Sequence, residues 1–99
     1  MTTNNLEDSD ARLQLCADRV IWRLVGEEVV GLETLRSEYL AVNRSGVELW
    51  QALANGASQA ELVRLLMERW QLDEERATRD ARAFLSQLAD RELLEPAQQ

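Results

Sequence analysis

The sequence predicts an α+β domain in which a small antiparallel sheet is followed by three helices. Three observations predict it. Short β-branched and aromatic runs fill the first half, joined by polar links that suit hairpins and are too brief for parallel crossovers. Past Ser45 the apolar period lengthens from two residues to nearly four. From there on, capping residues precede each periodic stretch.

Residues 1–11 are polar and acidic and are expected to form a disordered tail, which leaves residues 12–95 as one domain. Leu13 and Leu15 alternate with polar neighbours, enough for a short extended segment. Residues 20–25 (Val-Ile-Trp-Arg-Leu-Val) are a clearer strand, and Gly26-Glu27-Glu28 reads as the turn into a second, residues 29–33. Residues 34–37 make the next connection, with no Gly to fix its type. The third strand is residues 38–43, Glu-Tyr-Leu-Ala-Val-Asn, a composition that suits a pleated, half-buried surface. It hands over to a helix with almost no linker, so one edge and one flank of this strand lie beside whatever helix packs there.

Ser45-Gly46-Val47-Glu48 reads as a capping box opening the first helix, whose apolar face is Val47, Trp50, Leu53 and Ala54 and whose stop is Asn55-Gly56. Ser58-Gln59-Ala60-Glu61 is a second capping box, before Leu62, Val63, Leu66, Met67 and Trp70. Asp73 caps the third helix, and Glu74 and Glu75 sit in its first turn, where the helix dipole favours negative charge. Its apolar stripe is Ala77, Ala81, Phe84, Leu85 and Leu88. Leu93-Leu94 is an apolar tail, and Pro96 closes the ordered chain. The helices are expected to cover one face of the sheet, burying Trp22, Trp50, Trp70 and Phe84.

Eighteen acidic residues against eleven basic ones, all Arg, give a formal charge of −7. Such a chain repels phosphate backbones and anionic lipids unless its basic residues cluster, and Arg64, Arg69, Arg76, Arg79 and Arg82 are instead interleaved with acids. Neither a nucleic acid nor a membrane is therefore expected as a partner. No apolar run approaches the roughly 20 residues of a membrane span, nothing in the polar start resembles a signal peptide, and a cytoplasmic location is expected. The sequence has no His, no paired thiols, no Gly-rich phosphate loop and no Ser nucleophile elbow, so catalytic residues, metal ligands and cofactors are all expected to be absent. Cys16, the single cysteine, is read as a small buried hydrophobe, because no His exists to activate it.

Leu32-Glu33, Tyr39, Val42-Asn43, Gly46 and Trp50, continued by Leu53, Gly56, Glu61-Leu62-Val63 and by Asp80, Phe84, Leu85 and Leu88, resemble in order and spacing the PqqD-like family. That family includes the recognition domains for precursors of ribosomally made, post-translationally modified peptides. A free-standing chain of this length is most similar to the recognition proteins of lasso-peptide pathways. The resemblance implies a winged-helix-like fold of three strands and three helices, without catalytic activity. It implies that the leader segment of a precursor binds as a fourth strand, against the third strand and beside the third helix. The partners it implies are a separate leader-removing protease and, less directly, a ring-closing cyclase. Two positions depart from the family pattern: Val42, where Leu is more usual, and Ala81, where a larger aliphatic is common.

Carried over residue by residue, the peptide-binding positions are Glu38, Tyr39, Leu40, Ala41 and Val42 on the strand and Ala77, Asp80, Ala81, Phe84, Leu85 and Leu88 on the third helix. The chemistry agrees with that assignment. An unpaired strand edge offers alternating donors and acceptors to any extended peptide, and specificity then has to come from pockets. Small Ala77 and Ala81, one turn from bulky Phe84, Leu85 and Leu88, would leave a concavity. The same stripe also reads simply as the core face of an amphipathic helix. Tyr39 reads either as core with its hydroxyl at the surface or as a peptide contact. Asp80 and Arg82 read as a solvated face, with Asp80 alternatively anchoring a basic leader residue, and Asn43 as the end of the strand with a share in the helix cap. Two rival functions suit the same elements, an adaptor subunit whose edge pairs with a partner enzyme and a winged-helix DNA-binding regulator.

Overall fold

Turns and caps divide the chain where the sequence places them, with one exception at the first helix. The structure, a computed structural model, describes residues 10–97, so the expected tail lies outside the described residues apart from Asp10 and Ala11. Strand β1 (Arg12–Leu15) realises the extended segment around Leu13 and Leu15. Strands β2 (Val20–Val25), β3 (Glu28–Glu33) and β4 (Glu38–Val42) form the expected meander, antiparallel and in chain order. The first hairpin closes at Val25 and Glu28 through Gly26, which takes a left-handed φ of 63°. The second closes at Glu33 and Glu38, and there Ser37 takes the left-handed position (φ 54°) without a Gly. Its amide donates to the Glu33 carbonyl at 2.8 Å.

Helices α1 (Arg44–Asn55), α2 (Gln59–Trp70) and α3 (Glu74–Asp90) follow. The first expected capping box does not form. Asn43 is the N-cap of α1, Arg44 is already helical, and no side chain caps the first turn. The Ser45 hydroxyl donates instead to Asn43 Oδ1 at 2.9 Å, and Glu48 accepts from Arg69 Nε at 2.6 Å, so both members of the box are spent elsewhere. The second box is complete. Ser58 Oγ accepts from the Glu61 amide at 3.1 Å, and Glu61 Oε1 accepts from the Ser58 amide at 2.9 Å. Asp73 caps α3 by accepting from the Arg76 amide at 2.8 Å.

A second sheet, beyond the expected α+β plan, joins β5 (Ala57–Ser58) and β6 (Leu94–Pro96) to opposite edges of β1. It ties the start of the domain to its end, with Leu15 opposite Leu94 and Leu13 shared between Ala57 and Pro96. Trp50, Leu53, Leu62, Leu93 and Val29 are fully buried at the centre. Trp22 is half-buried and meets Trp50 edge to face at 5.9 Å. Trp70, expected in the core, is 38% exposed at the end of α2, Met67 and Ala54 are also exposed, and Leu49 supplies the buried contact on α1. Cys16 is half-buried and free; burial pushes its thiol pKa up and the Glu95 carboxylate adds to the effect, which keeps it protonated and a poor nucleophile.

The Ser58–Glu61 box makes the fold sensitive to acid. The Ser58 amide, with Arg12 adding, holds the Glu61 carboxyl below its ordinary value against the opposing effect of burial. A carboxyl whose folded-state pKa is depressed contributes stability above its unfolded value and loses it as pH falls through the folded one. Ser58→Ala is expected to cost about 1 kcal/mol in urea unfolding. Glu61→Gln is expected to flatten the loss of stability below about pH 4.5, seen as a smaller shift of the urea midpoint between neutral and acid buffer.

Candidate functional site

Among the described residues, strand β4 pairs with β3 on one side only. Beside its other edge runs a groove of about 770 Å³, walled by β4 and α3 and floored by α1 and α2. Alternation along β4 sends Leu40 and Val42 toward the helices, while Tyr39 and Ala41 face outward, Tyr39 with 78% of its surface exposed. Tyr39 is therefore not a core residue.

Two contacts fix the direction of α3. Arg91, at its C-terminal end, donates through Nη1 to Glu33 Oε2, and Glu33 sits opposite Glu38 in the sheet. Phe84, two turns earlier, lies at Gly46, beside Val42. The helix thus runs antiparallel to β4, with its C-terminal end at the start of the strand. Glu33 is buried, and Arg36 Nη1 lies 3.8 Å from its second oxygen, so two cations compensate one enclosed carboxylate. The Gly46 position is as tight. A Cβ there would sit 2.7 Å from Val42 Cγ1 and 3.2 Å from Phe84 Cε1, so only glycine lets α1 approach the strand and α3 together.

The floor is apolar, made by Leu49, Trp50 and Leu66, with Trp70 and Leu72 at its margin. The Trp50 indole nitrogen is buried without an acceptor among the described residues. The α3 wall carries Arg76, Asp80, Ala83, Phe84, Gln87, Leu88 and Arg91. Of the expected peptide-binding residues, Tyr39, Leu40, Ala41, Val42, Asp80, Phe84 and Leu88 line the groove, whereas Glu38, exposed at the start of β4, does not. Ala77, Ala81 and Leu85 do not line it. They are buried in the core, so the small side chains at 77 and 81 leave no concavity in the groove wall.

The stripe that faces the groove is set about one residue round the helix from the core stripe. Arg76, Asp80, Ala83, Gln87 and Arg91 repeat at i, i+4, i+7, i+11 and i+15, a signal present in the sequence but masked by its polarity. Arg76 and Asp80 are opposite charges one turn apart, yet no ion pair joins them, and neither side chain is paired to another charge among the described residues. A site so built can accommodate an extended chain: among the described residues it has an unpaired row of backbone groups, an apolar trough, and a few polar groups along one wall. Among the described residues no cluster of acidic or thiol side chains is suited to a metal ion, and no helix is long and apolar enough to cross a membrane.

Residues 28–94 match the sequence profile of the family described as coenzyme PQQ synthesis protein D (PqqD). The chain belongs to this family. Among solved structures it is similar to TbiB1 in complex with the TbiA(beta) leader peptide, at 29% identity and a TM-score of 0.76, over 87% of this chain and 99% of that one. It also shares its fold with lasso peptide synthetase B1 complexed with the leader peptide, at 21% identity and a TM-score of 0.73, over 85% and 98% of the two chains. No curated protein matches it. In this PqqD-family domain the matched range spans the junction of β4 and α1 at Val42, Asn43 and Gly46.

Because Gly46 sets the separation of β4 from α3, Gly46→Ala is expected to force Val42 and Phe84 apart. The expected loss is about 1–3 kcal/mol of stability in thermal or urea unfolding, with the amide signals of residues 42 and 84 shifting most in NMR spectra.

Proposed function

We propose that this PqqD-family protein is a non-catalytic binding protein that captures the leader segment of a ribosomally synthesised precursor peptide by strand addition to β4. It then presents the precursor to a separate leader peptidase and to a cyclase in lasso-peptide biosynthesis. One observation carries the reading: the unpaired edge of β4 lies along an apolar groove of about 770 Å³. Both similar solved structures are described as complexes with leader peptides.

The division of labour follows from chemistry. The β4 backbone supplies hydrogen bonds that any extended peptide satisfies, so they contribute affinity with little discrimination. Side chains of the peptide that point inward meet Leu40, Val42, Phe84 and the floor, where burial of an aliphatic or aromatic group contributes roughly 1.5–3 kcal/mol. Asp80 and Arg76 add charge selectivity at one end. Holding the leader while the enzyme acts on the attached segment raises the local concentration of substrate at that enzyme without any catalytic group on the binding protein.

Strand addition has a signature that adaptor binding lacks. A labelled leader peptide titrated into the isolated protein is expected to bind without any enzyme, and N-methylation of its amides is expected to abolish binding at alternate residues only. Ala41→Pro is expected to remove at least about 1.4 kcal/mol of affinity, a tenfold rise in Kd, in a variant whose circular dichroism stays native. Binding that is indifferent to N-methylation, or that begins only when the protease is added, would refute this function.

A further inference from the structure

The outward face of the meander carries an apolar row that stops at the edge where the peptide is proposed to add. In the register of the sheet, Ile21 on β2 lies opposite Leu32 on β3, which lies opposite Tyr39 on β4. All three point away from the helices. Ile21 is 65% exposed and Tyr39 78%, with Leu32 half-buried between them. The neighbouring row, Arg23, Val30 and Ala41, has a charge at its far end and a small residue at the edge. Two exposed large apolar side chains joined by a half-buried Leu form an apolar row that a strand added at β4 would extend.

We infer that a captured peptide is read on both faces, and that its residue opposite Tyr39, facing outward, is aromatic or β-branched, continuing the row Ile21–Leu32–Tyr39 by one strand. This rests on strand addition to β4. The occupant of the outer row is then the peptide itself, because adding a strand at β4 places one of its side chains next to Tyr39 whichever way the peptide runs. Inward residues are selected by the groove, and the outward one by cross-strand contact with Tyr39. The two selections act on alternate positions, so the recognised sequence has apolar residues of both parities near the start of β4. Toward Ala41, where the outward neighbour is small, only the inward parity is discriminated.

A displayed library of random peptides of about eight residues, long enough to span a strand, tests this with the full chain as bait. The unaltered protein is expected to enrich peptides with aromatic or β-branched residues at one outward position, two residues from the position facing Ala41. Tyr39→Arg is expected to switch that one position to Asp or Glu, while inward preferences stay as they were. A peptide selected on the unaltered protein is expected to lose roughly threefold in affinity for Tyr39→Arg. Val25→Arg, on the same face but with no partner on β4, is expected to leave the selected sequences unchanged. Identical preferences for the unaltered protein and Tyr39→Arg would overturn outward readout and leave strand capture standing. Failure of the unaltered protein to enrich any peptide would overturn both. If Tyr39→Arg changes the sedimentation of the protein but not the selected peptides, the row belongs to a second copy of the chain and the inference falls.

Discussion

The separation between β4 and α3 governs everything else in this domain. If it were narrower, the edge of β4 would be sealed by the helix; if wider, the trough would lose its second wall. It is pinned at both ends by different physics. At the start of the strand the buried Glu33 carboxylate draws in Arg91 from the end of α3, with Arg36 behind it. At the other end the absence of a side chain at Gly46 lets Val42, α1 and Phe84 meet at van der Waals distance. One constraint is attractive and directional, the other steric. Removing one partner of an enclosed ion pair leaves a charge without compensation, and adding a methyl to a filled space displaces its neighbours, so neither end has slack.

The elements were largely legible in the sequence, because local signals and tertiary structure agree there. Gly26, Ser58–Glu61 and Asp73 act where turn and cap chemistry places them. The signals failed where a second partner competed. Ser45 and Glu48 have the spacing of a capping box, but Asn43 and Arg69 take their polar atoms, and a motif cannot announce its competitors. The second sheet was illegible for another reason. Two residues at Ala57–Ser58 and three at Leu94–Pro96 are too short for periodicity and are ordered only by pairing with β1. For the groove, the strand half was readable from alternation alone. On the helix half the sequence left two readings of the apolar stripe, core face or binding wall, and they divide between residues: Ala77, Ala81 and Leu85 are buried in the core, while Phe84 and Leu88 also line the groove. Its actual wall is more polar than the core stripe, and polarity at helical spacing ordinarily means solvent.

Charge is distributed to the same end. In a chain with net charge −7, Asp80 is the one acidic residue among the described residues that lines the groove, beside Arg76 and the Glu33-bound Arg91. Arg12, Arg19, Arg44 and Arg69 are engaged with Glu61, Glu92, Glu27 and Glu48 on other surfaces. Exposed pairs of this kind contribute little stability, but they do consume the cations that would otherwise form a basic patch. The field outside the groove is therefore acidic and disfavours polyanions, whereas the trough itself imposes no strong sign on what enters.

A three-stranded meander has two edges, and the choice between them needs its own explanation. A second cavity, about 290 Å³, lies near the β2–β3 hairpin, lined by Leu24, Gly26 and Glu27 and, from the helices, by Arg44, Val47, Glu48, Arg69 and Trp70. The ion pairs Arg44–Glu27 at 3.3 Å and Arg69–Glu48 at 2.6 Å line that cavity, and a chain entering it would have to desolvate both. Charged side chains placed along an edge are a common means of keeping other strands off it. At β4 the only charged residue is Glu38, at the very start, and the long axis of the trough is free of ion pairs beyond Arg91. The two edges thus present similar backbone groups and differ in what lies beside them: a groove of about 770 Å³ with an apolar floor along β4, and near the β2–β3 hairpin a smaller cavity lined by two ion pairs.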